Sequence, residues 1–128
     1  MGDISKNFNK SEFACKCGCG RNVTNMDVVN GCQDVRDVVG IPINISSGTR
    51  CEKRNAASGG VPNSFHVQGS AVDITCAKGA QFLFLSIINM CDQGKFRKKP
   101  DYVIWYKKKN FVHMDWGKTR SNRFAIVE

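Results

Sequence analysis

Acidic side chains are scarce in this sequence: eleven Asp and Glu stand against nineteen Lys and Arg, a net charge of +8 over 128 residues. Such a surplus draws a protein toward polyanions such as nucleic acid, anionic membranes or bacterial wall polymers, without choosing among them. Signatures of specific nucleic-acid recognition are missing. No zinc-finger or RNA-recognition pattern accompanies the basic runs Lys95-Phe96-Arg97-Lys98-Lys99 and Lys107-Lys108-Lys109, which read as solvated loops. No segment approaches the ~20 apolar residues that span a bilayer, so membrane insertion is not expected. The start, Met1-Gly2-Asp3-Ile4-Ser5-Lys6, lacks the apolar stretch of a signal peptide, and the expectation is a protein that starts life soluble in the cytosol. Repeats, low-complexity tracts and interdomain linkers are absent, so residues 1–128 are expected to form one domain.

What is present divides into periodic segments. Residues 25–39 place Val28, Cys32, Val35 and Val39 on one helical face, with Asn25 as N-cap and Gly40 as stop. Ile41, Ile43 and Ile45 then alternate with polar residues as in a half-buried strand leading to the turn-prone Ser47-Gly48-Thr49. A loop rich in Gly, Ser and Asn is expected from there through Ser64. Residues 71–75 read as a short strand, and residues 80–92 as a second helix with Phe84, Ile87, Ile88 and Cys91 at helical spacing. Residues 102–106 and 111–116 read as a hairpin across Lys107-Lys108-Lys109-Asn110, and 124–127 as a last strand. Two main helices with a small, mostly antiparallel sheet make the expected fold class α+β.

Histidine occurs only twice, at His66 and His113, and each lies near a carboxylate in a compact motif. Ala71 and Asp73 share one face of the 71–75 strand, so the Asp73 carboxylate can point where a small neighbour leaves room. His66 arrives from a loop and His113 from the hairpin. Two imidazoles and one carboxylate hold zinc while leaving its fourth position open, the pattern of a hydrolytic rather than a structural site. Trp105, Tyr106 and Trp116 either wall a substrate cleft or pack in the core, and packing is the simpler role.

Seven cysteines are an odd number, which argues against a complete disulfide framework. Cys32, Cys76 and Cys91 fall at apolar positions and are expected in the core. Cys15, Cys17, Cys19 and Cys51 leave three readings open: a second, structural zinc, a disulfide from Cys51 to one of the other three, or unbonded thiols.

The pattern Ser-x-His-x-x-Gly-x-Ala-x-Asp is complete at Ser64, His66, Gly69, Ala71 and Asp73. It resembles the peptidase M15 family, the D-alanyl-D-alanine carboxypeptidase and phage-endolysin type of zinc peptidase. The chain is especially similar to the small phage branch, through Phe13 with Cys15, Cys17, Gly18 and Cys19, then Ser47-Gly48-Thr49-Arg50-Cys51, Asn55 with Gly59-Gly60, and His113 with Asp115. The resemblance spans roughly residues 7–124. It implies a hedgehog/DD-peptidase-like fold, zinc held by His66, Asp73 and His113, Arg50 at the substrate or the oxyanion, and Ser64 on the substrate backbone. Many members carry an acidic general base three positions before the last histidine; this chain has Asn110 there. Asp115 is the substitute that strand geometry offers, either as catalytic base or as a carboxylate orienting a ligand. The implied activity is hydrolysis of an amide bond in bacterial peptidoglycan by a monomeric endolysin or virion-associated lysin, held in the host cytoplasm until a holin releases it or carried on the particle. The alternative is a catalytically silent zinc-binding module of a phage particle.

Overall fold

The valines repeating at helical spacing after Asn25 form helix α1, Met26–Val39, in a computed structural model that describes residues 2–61, 64–117 and 124–128. The Asn25 side chain accepts the Val28 N–H at 3.2 Å, and Gly40 ends the helix at φ 72° by donating its N–H to the Arg36 carbonyl. Val28, Val29, Cys32 and Val35 are fully buried. Each valine so placed contributes about 1.5 kcal/mol or more through apolar burial.

Strand β1, Ile43–Ser47, begins two residues later than the alternation of Ile41, Ile43 and Ile45 suggests, because Pro42 has no N–H to give a ladder. The segment expected to be loop contains a further helix, α2, Glu52–Ala57, which raises the number of α-helices among the described residues to three. Six residues are too few for periodicity to register. The start of α2 is instead set by Cys51, whose sulfur accepts the Arg54 N–H at 3.4 Å. Strand β2, Ala71–Cys76, precedes α3, Ala80–Gln93. Strands β3, Tyr102–Tyr106, and β4, Phe111–Asp115, form the expected hairpin, and β5, Phe124–Val127, follows.

The strands lie in the order β1-β2-β4-β3-β5. The first four pair antiparallel and β5 runs parallel to β3, so the sheet is mixed though mostly antiparallel. One face carries Ile43, Ile45, Val72, Ile74, Val112, Met114 and Val103 into a core completed by α1, by Leu83, Phe84, Ile87 and Met90 of α3, and by Phe8 and Phe13 from the N-terminal segment. Period-two alternation therefore sends Asp73, His113 and Asp115 to the opposite face. A bulge between Ile45 and Ser47 adds a residue to β1, so Ser47 rather than Ser46 stands opposite Asp73 on that face.

Two residues of the 95–99 basic run are engaged with α1. Arg97 donates from its backbone N–H and from Nε to the buried Asp34 carboxylate, both at 2.9 Å, and Lys98 Nζ lies 3.0 Å from Asp27. Trp116 is buried against Gly31, where an added Cβ would lie 2.4 Å from its ring, and donates its indole N–H to the Lys98 carbonyl at 3.0 Å. Trp105 packs its ring on Phe84 with centroids 5.7 Å apart. Both tryptophans thus pack rather than wall a cleft. No helix among the described residues is long and apolar enough to cross a membrane.

Candidate metal centre

Asp73 on β2 pairs directly with His113 on β4, so their side chains emerge side by side from the same face of the sheet. His66 reaches them from the loop before β2. That loop is pinned by the Arg50 N–H on the His66 carbonyl at 3.0 Å and the Asn25 N–H on the Gly69 carbonyl at 3.0 Å. Gly69 adopts φ +76° with its Cα against the backbone of Val23, where a Cβ would come within 2.1 Å of a carbonyl oxygen. Only glycine fits both demands, which accounts for its place between His66 and Asp73.

The donor atoms converge on one carboxylate oxygen. Asp73 Oδ1 lies 3.2 Å from His66 Nε2 and 3.0 Å from His113 Nδ1, and one ligand atom from each of the three residues falls within 4.8 Å of the others. The far nitrogen of each ring is already taken. His66 Nδ1 faces the Gly48 carbonyl at 2.9 Å and must donate to it, while His113 Nε2 faces Asp115 Oδ2 at 2.8 Å. In the neutral tautomers these contacts select, both inner nitrogens present lone pairs to a carboxylate that has only lone pairs to offer. Three acceptors pointed at one another require a cation among them, and two imidazoles with one carboxylate are a donor set for zinc. The residues present therefore fit the metal.

Without a metal, protons fill this role. Burial presses His113 toward its neutral form, but the Asp115 and Asp73 carboxylates outweigh that and hold its pKa up to about 8. Burial likewise pushes the Asp73 carboxyl up, while hydrogen bonds from His113 and His66 win and keep it well below the usual carboxylate range.

Arg50 is the third partner of Asp73. Its Nη2 lies 3.2 Å from Asp73 Oδ2, its Nε donates to Ser47 Oγ at 3.0 Å and its Nη1 to Asn55 Oδ1 at 3.2 Å. Asn55 is a buried hub: its side chain also accepts the Ser64 hydroxyl at 2.8 Å and donates to the Val61 carbonyl at 2.6 Å. Gly60 packs so closely on it that a Cβ would lie 2.2 Å from Asn55 Oδ1, the physical content of the Asn55 and Gly59-Gly60 spacing. The Ser64 hydroxyl is thus directed at Asn55.

A cleft of about 240 Å³ opens onto the trio, lined by Arg50, Ser58, Gly59, Gly60, His66, Asp73, Tyr106, Lys109, Phe111 and His113. Tyr106 and Phe111 stack at 4.7 Å on one wall. Asp73 is the sole carboxylate among those lining residues. Asp115 is 1% exposed and sits on the side of His113 away from Asp73, with its second oxygen accepting the Gly117 N–H at 3.3 Å. Asn110 takes a left-handed conformation, φ 56°, and its side chain accepts the Ala80 N–H at 2.9 Å, capping α3, whose own N-cap Gly79 has no side chain to do so. A larger cavity, about 450 Å³, lies between α3, the segment around Lys99 and Phe124, and holds none of the trio.

Sequence reading missed the anchoring by Ser47, Gly48 and Asn55 and the presence of Lys109 in the cleft. Ser47, Gly48 and Asn55 belong to the motifs that carried the family resemblance, so their signal was spacing without a visible role. Lys109 carried no signal beyond charge. No curated protein matches the chain. A family model described as peptidase M15 matches residues 6–115, a span that contains the whole trio, Arg50 and Asp115. The chain therefore belongs to the peptidase M15 family, whose members are zinc-dependent metallopeptidases.

Proposed function

We propose that this protein is a zinc-dependent peptidoglycan peptidase, of the phage endolysin or virion-associated type, hydrolysing an amide bond in the stem peptide or cross-bridge of the bacterial wall. The observation that carries the reading is the convergence of His66 Nε2, His113 Nδ1 and Asp73 Oδ1 at the floor of an open cleft. Family membership supports a zinc peptidase, and the sequence resemblance to the small phage branch is what favours wall peptides as the substrate class. When bound by these residues, zinc supplies Lewis-acid polarisation of the scissile carbonyl and activation of water.

The remaining roles belong to the chain itself. Gly48 and Asp115 hold the two imidazoles in the tautomers that aim lone pairs inward. Asp115 acts in this reading as the carboxylate that orients His113, since it contacts the ring nitrogen opposite the Asp73 side. Arg50 fixes the second oxygen of Asp73 and presents positive charge at the cleft, where it receives a substrate carboxylate or the developing oxyanion. Lys109 adds a second cation at the same opening, suited to the acidic groups of wall peptides. The partner is the wall polymer, rather than nucleic acid or a membrane, and the protein works as a monomer. It waits in the host cytoplasm for a holin or travels on the virion.

One observation favours a second reading. With Asn110 committed to capping α3 and Asp73 the sole carboxylate among the described residues that line the cleft, a silent zinc-binding module of a phage particle also satisfies the geometry. Mass spectrometry of fragments released from purified peptidoglycan by zinc-loaded protein, with His66→Ala alongside, separates the two. New amino termini produced only by the unaltered protein establish the peptidase and name the bond. No cleavage across several wall types, with zinc bound stoichiometrically, selects the silent module.

A further inference from the structure

The second cluster of metal-competent side chains lies outside the cleft. We propose that Cys15, Cys17, Cys19 and Cys51 hold a structural zinc ion that fastens the N-terminal segment to the arm carrying Arg50.

All four sulfurs lie within 4.8 Å of one another. Cys15 Sγ is 3.5 Å from Cys17 Sγ, which is 3.6 Å from Cys51 Sγ. Four thiolates around zinc at ~2.3 Å form a tetrahedron with sulfur–sulfur edges of about 3.8 Å, so the cluster already has close to the required dimensions. A single disulfide would use two of the four sulfurs and explain neither of the others.

The backbone around the cluster is arranged for thiolates. Gly18 and Gly20 both adopt φ +86°, which turns the chain twice within Cys15-Lys16-Cys17-Gly18-Cys19-Gly20 and lets alternate cysteines face one centre. The Cys15 N–H on the Arg21 carbonyl at 2.8 Å closes the loop. Two further backbone donors aim at sulfur: the Cys51 N–H lies 3.3 Å from Cys15 Sγ and the Arg54 N–H 3.4 Å from Cys51 Sγ. Amide donors of this kind stabilise a coordinated thiolate and fix its direction. Cys17 and Cys19 are exposed while Cys15 is buried, so the cluster is a surface site reachable by a metal ion.

Its position gives the ion a purpose. Cys51 immediately follows Arg50 and caps α2, whose Asn55 also holds the Arg50 guanidinium. Across the junction, the Thr49 N–H bonds the Phe13 carbonyl at 2.9 Å, two residues before Cys15. A zinc ion here ties the short helix α2, which buries Asn55 alone of its residues, to the core-anchored Phe13, and thereby holds Arg50 against Asp73.

The inference rests on these four residues and does not depend on the catalytic reading of the His66 trio. Zinc is counted by elemental analysis in protein purified under reducing conditions, comparing the unaltered chain with Cys17→Ser/Cys19→Ser, and both chains are then reloaded with cobalt. The expected result is one zinc fewer per chain in the double variant. His66→Ala, lacking a ligand of the trio, retains a thiolate-to-cobalt charge-transfer band in the near ultraviolet that the double variant lacks. Alkylation of the unaltered protein, read by intact mass, covers the case in which the double variant does not fold: zinc protects four cysteines and a chelator releases them. Equal zinc content in the two chains, no thiolate band in cobalt-loaded His66→Ala, or cysteines released by a reductant but not by a chelator would overturn the inference, the last in favour of a disulfide. Failure of the peptidase reading alone leaves the zinc difference and the band intact.

Discussion

Asp115 shows how far one side chain's role depends on which atom it touches. Its carboxylate meets His113 Nε2 at 2.8 Å, so Asp115→Asn weakens the hold on the tautomer that frees Nδ1 for metal. We expect zinc affinity to fall about 10- to 100-fold, as is typical for such outer partners, measured by competition with a chromophoric chelator. Unchanged affinity with turnover reduced by orders of magnitude would instead make Asp115 the base. Arg50 makes three directed contacts through Nε, Nη1 and Nη2, which a lysine cannot reproduce. Arg50→Lys should therefore reduce kcat by about 10²- to 10³-fold with zinc content unchanged, the scale of losing one oxyanion donor. A rate within twofold of the unaltered protein would remove Arg50 from the reaction.

At the scale of elements, the β3–β4 turn and the start of α3 are joined through Asn110. Asn110→Ala removes the cap on Ala80 and places a poor residue in the left-handed region, a loss of about 1 kcal/mol or more seen as a lower Tm. Asn110→Asp retains the acceptor and adds negative charge at the N-terminus of α3, which the helix dipole favours. Stability should hold or rise while peptidase turnover stays level, because the side chain is directed at α3 and is not among the residues lining the cleft. A large gain in turnover would mean that this turn swings its side chain into the cleft during the reaction. The β1 bulge does comparable work, because a regular ladder would carry Ser46 rather than Ser47 to the position opposite Asp73.

For the molecule as a whole, the buried cluster of charges ties stability to pH. The His113 pKa is raised from 6.5 to about 8, so its contribution in the metal-free protein is complete below 6.5 and disappears as pH rises through about 8. Asp73 is shifted the other way, so its contribution is complete above the ordinary 3.8 and is lost as pH falls below it. In chelator, the Tm advantage of the unaltered protein over His113→Gln should be greatest between these limits and shrink toward pH 9. A constant difference across that range would show that His113 does not stabilise the fold through its charge. The +8 surface makes a separate prediction under the proposed function: hydrolysis of purified wall should slow as ionic strength rises, and a rate indifferent to salt would discard electrostatic attachment.

Much of the fold was legible because its elements carry periodic apolar patterns. The valines of α1 and the hairpin of β3 and β4 are examples, since each buries one face and the repeat records which. Helix α2 was not, because six residues packed beside a cysteine cluster leave no repeat to detect. The parallel pairing of β5 was equally hidden, since alternation specifies a face and not a neighbour. The chemical identities of the candidate site, two histidines and an aspartate in compact motifs with Arg50 ahead of them in family order, were determined by sequence alone. Tertiary structure decided which ring nitrogen each carboxylate or carbonyl occupies, that Asn110 serves α3, and that four cysteines from two segments meet. Apart from the contact of Asp115 with His113 two positions away, those outcomes depend on contacts between residues 18 to 40 positions apart, and distances of that kind are set by how packed elements cross, which local spacing does not encode.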